Sequence, residues 1–200
     1  MSIRLRLRSM VKLFVEPIQS IFACCDALIT AQDVASASRF QNEARRMEHL
    51  AWRRIVRREL GRGVMIEYNA VGAPYVDSPN THISVAHTAG IVAVALADCP
   101  VGVDIESLHR GFERVASRYL SAEEAQLSSD ERWAAMVWCA KEAMYKLYGR
   151  KGVDLIDDLR VMGYDASQGR IYGSMRDMAD AKIDISLHEE DWIVAVATYI

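Results

Sequence analysis

The chain has 200 residues, of which 51% are hydrophobic, and a formal net charge of −3. This length can bury a substantial core, in one large domain or in two small lobes. The nearly balanced charge does not indicate a nucleic-acid-binding protein, and no uninterrupted apolar segment is long enough to span a membrane. The cysteines Cys24, Cys25, Cys99 and Cys139 form no C-x-x-C pair and no metal-ligand spacing with histidine, which favours reduced thiols in a cytoplasmic protein.

The N-terminal region has basic residues followed by apolar ones, an order that resembles a signal peptide. Lys12 and Glu16 interrupt the apolar part. We therefore predict a basic leader followed by a strand over these residues. Met10 is an alternative start to Met1, and the sequence leaves this choice open.

In Gln41–Leu60, apolar residues recur at three- and four-residue steps and predict a long helix that Gly61 ends. A glycine- and proline-rich loop precedes a group of strands, and a second long helix ends before Gly149. The predicted elements after the first helix are, in order, strands Val64–Tyr68, His82–Ala86, Ile91–Ala97 and Val101–Glu106, short helices Phe112–Leu120 and Ala122–Leu127, the long helix Arg132–Tyr148, and strands near Leu159–Met162, Arg170–Gly173, Lys182–Leu187 and Trp192–Tyr199.

Two pieces of the sequence are repeated at one spacing. The pair I-S at Ile83 and the run I-V-A-V-A from Ile91 both return 102 residues later, at Ile185 and Ile193. Apolar strands also resemble each other by chance, but two matched pieces at one offset favour a duplication. We therefore predict an α+β fold of two similar lobes, residues 1–100 and 101–200, related by a pseudo-two-fold axis. Each lobe is a small sheet packed on a long helix, and a ligand is expected in the cleft between the lobes.

The segment V-G-V-D-I-E contains two carboxylates, Asp104 and Glu106, at strand spacing. Side chains two residues apart leave a strand on the same face, so the two acids point together. Such a pair suits Mg²⁺, which is held by a few carboxylates with waters and phosphates. Spacing alone nevertheless favours the simpler interpretation of two solvated acids at a strand end.

The second long helix contains W-C-A-K-E-A-M-Y-K, in which Glu142 and Lys146 are four residues apart and share a face. An ordinary surface ion pair of this kind is worth only a few tenths of a kcal/mol. The helix around the pair is largely apolar, so its charged face is narrow. A third motif, H-I-S-V-A-H-T, places His87 near a strand end, where a histidine alone is weak support for a phosphate contact.

In their order, the motifs I-S-V-A-H-T, V-G-V-D-I-E, Y-L-S-A-E-E and W-C-A-K-E-A-M-Y-K resemble the 4′-phosphopantetheinyl transferase superfamily. The length and the repeat resemble its larger, pseudo-dimeric (Sfp-type) branch. The resemblance covers about residues 39–150, and G-V-D-I-E with W-x-x-K-E is its specific part. It implies transfer of the phosphopantetheine arm of coenzyme A to a serine of a carrier protein, with Mg²⁺ as cofactor.

The resemblance also implies roles for single residues. Asp104, Glu106 and Glu142 would hold Mg²⁺ against the pyrophosphate of coenzyme A, and Glu142 is the candidate base for the carrier serine. Lys146 matches the lysine that stabilises charge on the phosphates.

Three other matched positions lie outside this acidic group. Lys141 and His87 match positions near the phosphates of coenzyme A. Glu124 matches a supporting acid near the site, and it also stands in a capping-box position after Ser121.

The chain departs from the family pattern in places that concern the 3′-phosphate end of coenzyme A. The family loop commonly reads G-K-P, but Ala73 replaces that lysine here, and Ala86 replaces the serine before the motif histidine. Basic residues that often precede the R-F pair are absent, although Arg45, Arg46 and Arg53 could supply positive charge. We expect altered coenzyme A binding rather than a loss of chemistry.

The predicted function is therefore a Mg²⁺-dependent transferase, monomeric and cytoplasmic, that acts on a fatty-acid, polyketide or peptide carrier. The first alternative is a relative that binds coenzyme A or a carrier protein without transfer. The second is another Mg²⁺-dependent phosphotransfer enzyme, although no G-x-x-x-x-G-K-S/T phosphate loop is present.

Overall fold

The computed structural model describes residues 10–22, 27–88 and 90–200. The predicted basic leader and the cysteines Cys24 and Cys25 lie outside the described residues. The other two cysteines, Cys99 and Cys139, are free thiols. No helix within the described residues is both long enough and apolar enough to cross a membrane.

The first half of the chain forms one sheet, one hairpin and three helices. Its elements are β1 (Val11–Pro17), α1 (Ile18–Ile21), α2 (Ala31–Ala37), α3 (Glu43–Leu60), β2 (Ile66–Tyr68), β3 (Pro74–Val76), β4 (His82–Thr88) and β5 (Ile91–Ala97). The second half forms a larger sheet that packs on one long helix. Its elements are β6 (Val101–Ser107), the 3₁₀ helix Phe112–Arg118, α4 (Ala122–Ala125), α5 (Trp133–Tyr148), β7 (Leu159–Asp165), β8 (Arg170–Met175), β9 (Ala181–His188) and β10 (Trp192–Tyr199).

The strand orders of the two halves correspond. The first sheet has the order β1-β5-β4 with the hairpin β2-β3 beside it, and the second has the order β6-β10-β9-β8-β7. Strands β5 and β10, which contain the repeated I-V-A-V-A run, are therefore the second strand of each sheet. The prediction of an α+β fold with two similar lobes is confirmed.

Three apolar clusters hold the molecule together. One lies between α3 and the first sheet and includes Trp52 and Ile55, and a second lies between α5 and the second sheet and includes Met144. The third cluster joins the two sheets and includes Ala93 and Val103. Because β5 is covered on both faces, its residues are buried along the whole strand, as the continuous apolar run predicts.

The lobes meet where β4 lies beside β6. The backbone N–H of Val103 donates to Ser84 Oγ at 2.9 Å, and both groups are buried. This contact fixes the acidic strand β6 next to the face of β4 that carries Ser84 and Ala86. The first motif and the acidic motif are thus brought to the same cleft.

Three observed elements were not predicted from the sequence: α1, α2 and β3. Helix α2 is short and lacks an apolar stripe, but Thr30 and Asp33 form a capping box at its N-terminus. Strand β3 begins at Pro74 in a segment that was predicted to be a loop. Proline is tolerated there because it is the first residue of a strand with a single partner, β2.

Candidate active site

Strand β6 approaches α5 closely because Gly102 has no side chain. A Cβ at Gly102 would overlap the carbonyl oxygen of Ala143 and lie 2.8 Å from the backbone N of Leu147. Any larger residue would push the strand away from the helix. The glycine of V-G-V-D-I-E therefore sets the distance between the acidic strand and the helix that carries Glu142 and Lys146.

Asp104 is buried and pairs with Lys146. Lys146 Nζ lies 2.8 Å from Asp104 Oδ1 and also donates to the carbonyl oxygen of Val103 at 2.8 Å. The other carboxylate oxygen, Oδ2, is buried and has no hydrogen-bond partner among the described residues. Burial raises the pKa of Asp104 above its ordinary value, although the positive charge of Lys146 acts against this shift.

Glu106 is held by two donors on one oxygen. Arg110 Nη1 donates to Glu106 Oε1 at 2.6 Å, and Trp138 Nε1 donates to the same atom at 2.7 Å. The guanidinium of Arg110 also lies over the rings of Trp138 and Phe112, at 5.3 and 5.4 Å from their centroids. These contacts fix the orientation of Glu106, and its second oxygen accepts no hydrogen bond from the described residues.

Glu142 lies on α5, one turn before Lys146, and is partly buried. Burial raises the pKa of Glu142, and the nearby charge of Asp104 adds to the increase. The two acids therefore repel each other, although they stand on different elements. Such repulsion is relieved when a cation or a proton binds between the groups.

The donor chemistry of this cluster fits a hard divalent cation. Asp104 Oδ2 is a buried oxygen without a partner among the described residues. In addition to burial, the charge of Glu106 raises the pKa of Asp104 and the charge of Asp104 raises the pKa of Glu142, so the three carboxylates are close enough to interact. The coordination geometry itself is not assembled. Within residues 10–22, 27–88 and 90–200, no three acidic, histidine or cysteine side chains form a group that could hold a metal ion.

Lys141 lies on the opposite side of α5, in the interior of the C-terminal lobe. Its side chain has 0% exposure, and Nζ lies 2.7 Å from Glu124 Oε1 and donates to the carbonyl oxygen of Leu155 at 2.7 Å. Burial lowers the pKa of Lys141, while the charge of Glu124 acts against the shift. This position is at odds with the predicted contact between Lys141 and coenzyme A.

Arg53 is likewise buried, in the N-terminal lobe. Its Nε lies 2.6 Å from Asp33 Oδ1, and Arg57 binds the other oxygen of the same carboxylate at 2.6 Å. Burial by itself would raise the pKa of Asp33, but the hydrogen bonds from Arg57 and Arg53 hold it below its ordinary value. The predicted role of Arg53 in binding coenzyme A does not suit this closed network.

His87 and Arg46 are accessible but already have partners. His87 Nδ1 lies 3.2 Å from Glu48 Oε2, and its Nε2 lies 3.2 Å from Arg45 Nη1. Burial lowers the pKa of His87, and the charge of Glu48 opposes this effect. Arg46 donates to the backbone carbonyls of residues 40 and 41 at 2.9 Å. A phosphate at His87 would have to compete with Glu48.

A cavity of about 290 Å³ lies between the lobes, beside Lys146. One wall is the loop Val71–Pro74 with strand β4, and the other is the C-terminal end of α5. Most of its lining is apolar, and the charged side chains that line it are Lys146 and Arg150. The cavity therefore leads directly to the Asp104–Lys146 pair.

Three residues of this region were missed by the sequence interpretation: Arg110, Trp138 and Arg150. The contact between Trp138 and Glu106 joins residues 32 positions apart, and no local pattern predicts it. Arg110 follows Glu106, the last residue of the acidic motif, by four positions, and this closeness in the sequence is weak evidence for a contact between them. Arg150 could have been noticed as a basic residue just beyond the glycine that ends α5.

Comparison with known proteins relates this chain to one enzyme family. The family model of the 4′-phosphopantetheinyl transferase superfamily matches residues 100–197, which include β6 and α5. The protein 4′-phosphopantetheinyl transferase psf-1 of Bacillus pumilus is 32% identical over 94 residues, which cover 44% of this chain and 40% of that relative. The alignment thus spans less than half of either protein. On the family match, the resemblance to the 4′-phosphopantetheinyl transferase superfamily is confirmed for residues 100–197 of this chain.

Proposed function

We propose that the protein transfers 4′-phosphopantetheine from coenzyme A to a serine of an apo carrier protein and releases 3′,5′-ADP. The observation that carries the proposal is that Lys146, which pairs with Asp104, lines the cavity between the lobes. This pair lies within the family match. In this proposal residues 1–100 and 101–200 act as two lobes, and the second contributes the reacting groups.

Coenzyme A is proposed to bind with its nucleoside in the cavity and its pyrophosphate at Lys146. The apolar walls suit a planar base, and a lysine ammonium has three protons to donate. Two of them are used by Asp104 and the carbonyl of Val103. The third can reach a phosphate oxygen without breaking either bond.

Asp104, Glu106 and Glu142 are the proposed ligands of Mg²⁺. The unpartnered oxygen of Asp104 and the mutual repulsion of the acids support this assignment. When bound, the ion would neutralise negative charge on the pyrophosphate. Arg110 and Trp138 then serve to orient Glu106, because both bind one of its oxygens.

The transfer forms one bond and breaks one. The oxygen of the carrier serine bonds to the phosphorus of the phosphopantetheine arm, and the bond from that phosphorus to the oxygen of 3′,5′-ADP breaks. Glu142 accepts the serine proton, directly or through a water molecule. Lys146 stabilises the charge that develops on the phosphate oxygens.

Lys141 and Arg53 are given structural roles in this proposal, because each is buried against a carboxylate of its own lobe. His87 remains a candidate phosphate contact that must first leave Glu48.

The proposed enzyme is monomeric, since the cleft forms between two lobes of one chain. It is proposed to act in the cytoplasm, where the free thiols Cys99 and Cys139 would stay reduced. The partner is an acyl, polyketide or peptidyl carrier.

Intact-mass measurement of a carrier panel tests the proposal. Incubation with coenzyme A and Mg²⁺ should raise the mass of at least one apo carrier by one phosphopantetheine, and Glu142→Gln should abolish the increase. A folded wild-type protein that modifies none of the acyl, polyketide and peptidyl carriers would contradict the proposal. Carrier binding without any mass increase would instead support the binding-only alternative, which the alanines at positions 73 and 86 motivate.

A further inference from the structure

The cavity between the lobes is lined by a cation, Arg150, that no carboxylate of the described residues neutralises. Arg150 lies just beyond the left-handed Gly149 that caps α5, and its side chain lines the cavity opposite Ala73 and the rest of its loop. The guanidinium lies 5.4 Å from the centroid of the Tyr148 ring. Among the described residues, no carboxylate forms an ion pair with it.

A second exposed arginine, Arg45, differs in this respect. Arg45 lies beside His87, farther along the face of β4, and pairs with Glu48 at 3.4 Å. A new anion at Arg45 would have to replace an existing partner. An anion at Arg150 would gain a guanidinium that is free of acidic partners in the described structure. Arg150 is therefore the stronger anion site.

The electrostatic field at the C-terminal end of α5 explains why an arginine is needed there to bind a phosphate. The last carbonyl groups of α5 point toward the same end of the helix and repel negative charge. A phosphate can occupy this end of the cavity only if a cation offsets that repulsion. A guanidinium suits the task because it binds two phosphate oxygens at once.

We propose that Arg150 binds the ribose 3′-phosphate of coenzyme A and makes the protein prefer coenzyme A to 3′-dephospho-coenzyme A. The inference rests on the proposed function. Coenzyme A has two separate phosphate groups, and the cavity offers two cations, Lys146 and Arg150. Lys146 lies next to the acidic cluster, where the pyrophosphate must react, so Arg150 is left for the 3′-phosphate. It replaces, from the opposite lobe, the positive charge that the loop lacks at Ala73.

The kinetic test compares both donors with four proteins: wild type, Arg150→Ala, Arg150→Lys and the control Lys151→Ala. Lys151 is the exposed neighbouring cation and does not line the cavity. Arg150→Ala should lower kcat/KM for coenzyme A about tenfold or more, mainly through KM, because a charge-assisted contact is lost. The value for 3′-dephospho-coenzyme A should not change. Arg150→Lys should restore part of the preference, and Lys151→Ala should keep all of it.

A binding test separates this inference from the proposed function. Calorimetry should show that the wild type binds 3′,5′-ADP about tenfold or more tightly than 5′-AMP, and that Arg150→Ala removes most of the difference. If the wild type transfers nothing but shows this pattern, the proposed reaction fails and the inference stands. Equal affinities in the wild type, or an unchanged difference in Arg150→Ala, would overturn the inference. Loss of the difference in Arg45→Ala alone would also overturn it and place the phosphate at His87.

Discussion

The two lobes share an arrangement of one long helix packed on a sheet, but they differ in the charged side chains that this arrangement positions. When α3 and α5 are aligned by the glycines that follow them, Arg53 corresponds to Lys141 and Arg58 corresponds to Lys146. Arg58 binds Glu16 on β1 at 2.6 Å, as Lys146 binds Asp104 on β6. Each lobe thus joins its long helix to its first strand through one ion pair.

The buried cations correspond even more closely. Asp33 is the third residue of α2 and closes a capping box with Thr30, and Glu124 closes the same kind of box with Ser121 in α4. Each of these acids turns inward and binds the buried cation of the long helix in its lobe. This correspondence favours a structural role for Lys141 in the interior of its lobe over a ligand contact in the cleft.

The first strands show where the lobes diverge. Asp104 faces Ala195 across the sheet, and Val15 faces Ala93 in the same way. Glu106 faces Ile193, and its counterpart at residue 17 is a proline. The N-terminal lobe therefore has no acidic pair at the positions that form the candidate site in the C-terminal lobe.

The largest expected effect concerns the buried acid of each lobe. Asp33→Asn leaves two buried guanidinium groups without a charged partner, which should cost about 3–5 kcal/mol of unfolding free energy. Glu124→Gln should cost less, because Lys141 can lose its proton while an arginine cannot. Urea unfolding at neutral pH measures both values. An equal or larger loss of unfolding free energy for Glu124→Gln would contradict the expectation that Lys141 loses its proton when its acidic partner is removed.

The next effect contrasts the exposed helix cations. Lys146→Met should lower kcat of phosphopantetheine transfer on the order of a hundredfold or more, because a group that stabilises phosphate charge is removed. Arg58→Met, at the matching position of α3, should change kcat by less than about twofold, since the contacts that it loses, with Glu16, Glu59 and Phe14, all lie in the N-terminal lobe. Steady-state transfer assays measure kcat for both variants. Similar losses for both variants would show that Lys146 acts through folding.

A pH effect on stability is expected from His49 in the N-terminal lobe. Burial and the charges of Arg53 and Arg39 lower the pKa of His49 from 6.5 to about 4, with Asp33 acting against and His87 adding to the shift. The unfolded chain therefore takes up a proton first, and stability should fall as pH drops from about 6.5 to about 4.

His49→Gln tests this expectation, because its amide can replace the contact of His49 Nε2 with Ser36 Oγ. The variant should lose less stability than the wild type between these pH values, by a few kcal/mol at about 1.4 kcal/mol per pKa unit. Thermal unfolding at a series of pH values measures the slope. Parallel slopes would mean that His49 is not the titrating group. In the alignment of the helices the corresponding residue of α5 is Val137, so no similar effect is expected there.

The smallest effect is the coupling between Arg58 and Glu16. The side chains are 35% and 26% exposed, so water and salt screen their attraction. A double-mutant cycle with Arg58→Met and Glu16→Gln should give about 0.2–1 kcal/mol, decreasing with added salt. A coupling well above this range would mean that the N-terminal pair is a structural requirement and not a surface contact.

Much of the fold could be predicted from the sequence. The bounds of β5 and β10 agree with the prediction to the residue, because their apolar runs are long and end at turns. Strand spacing drew attention to the candidate acids on β6, but only the family resemblance gave them an expected role in holding a metal. The burial of Arg53 and Lys141 was not found, since a cation on a helix gives no local sign of facing inward. The relevant evidence was in the capping boxes, because their acids are the partners of these two cations. Each acid is distant in the sequence from its cation, so no local pattern connects them.

The most direct test of the account is the rate of carrier modification by two matched variants, Asp104→Asn and Glu16→Gln. Each removes the carboxylate that binds the exposed cation of a long helix, one in each lobe. If the C-terminal lobe contributes the reacting groups, Asp104→Asn should lower the rate on the order of a hundredfold or more, whereas Glu16→Gln should leave it within about twofold. Equal rates for folded Asp104→Asn and wild type would contradict the assignment of the reaction to the C-terminal lobe.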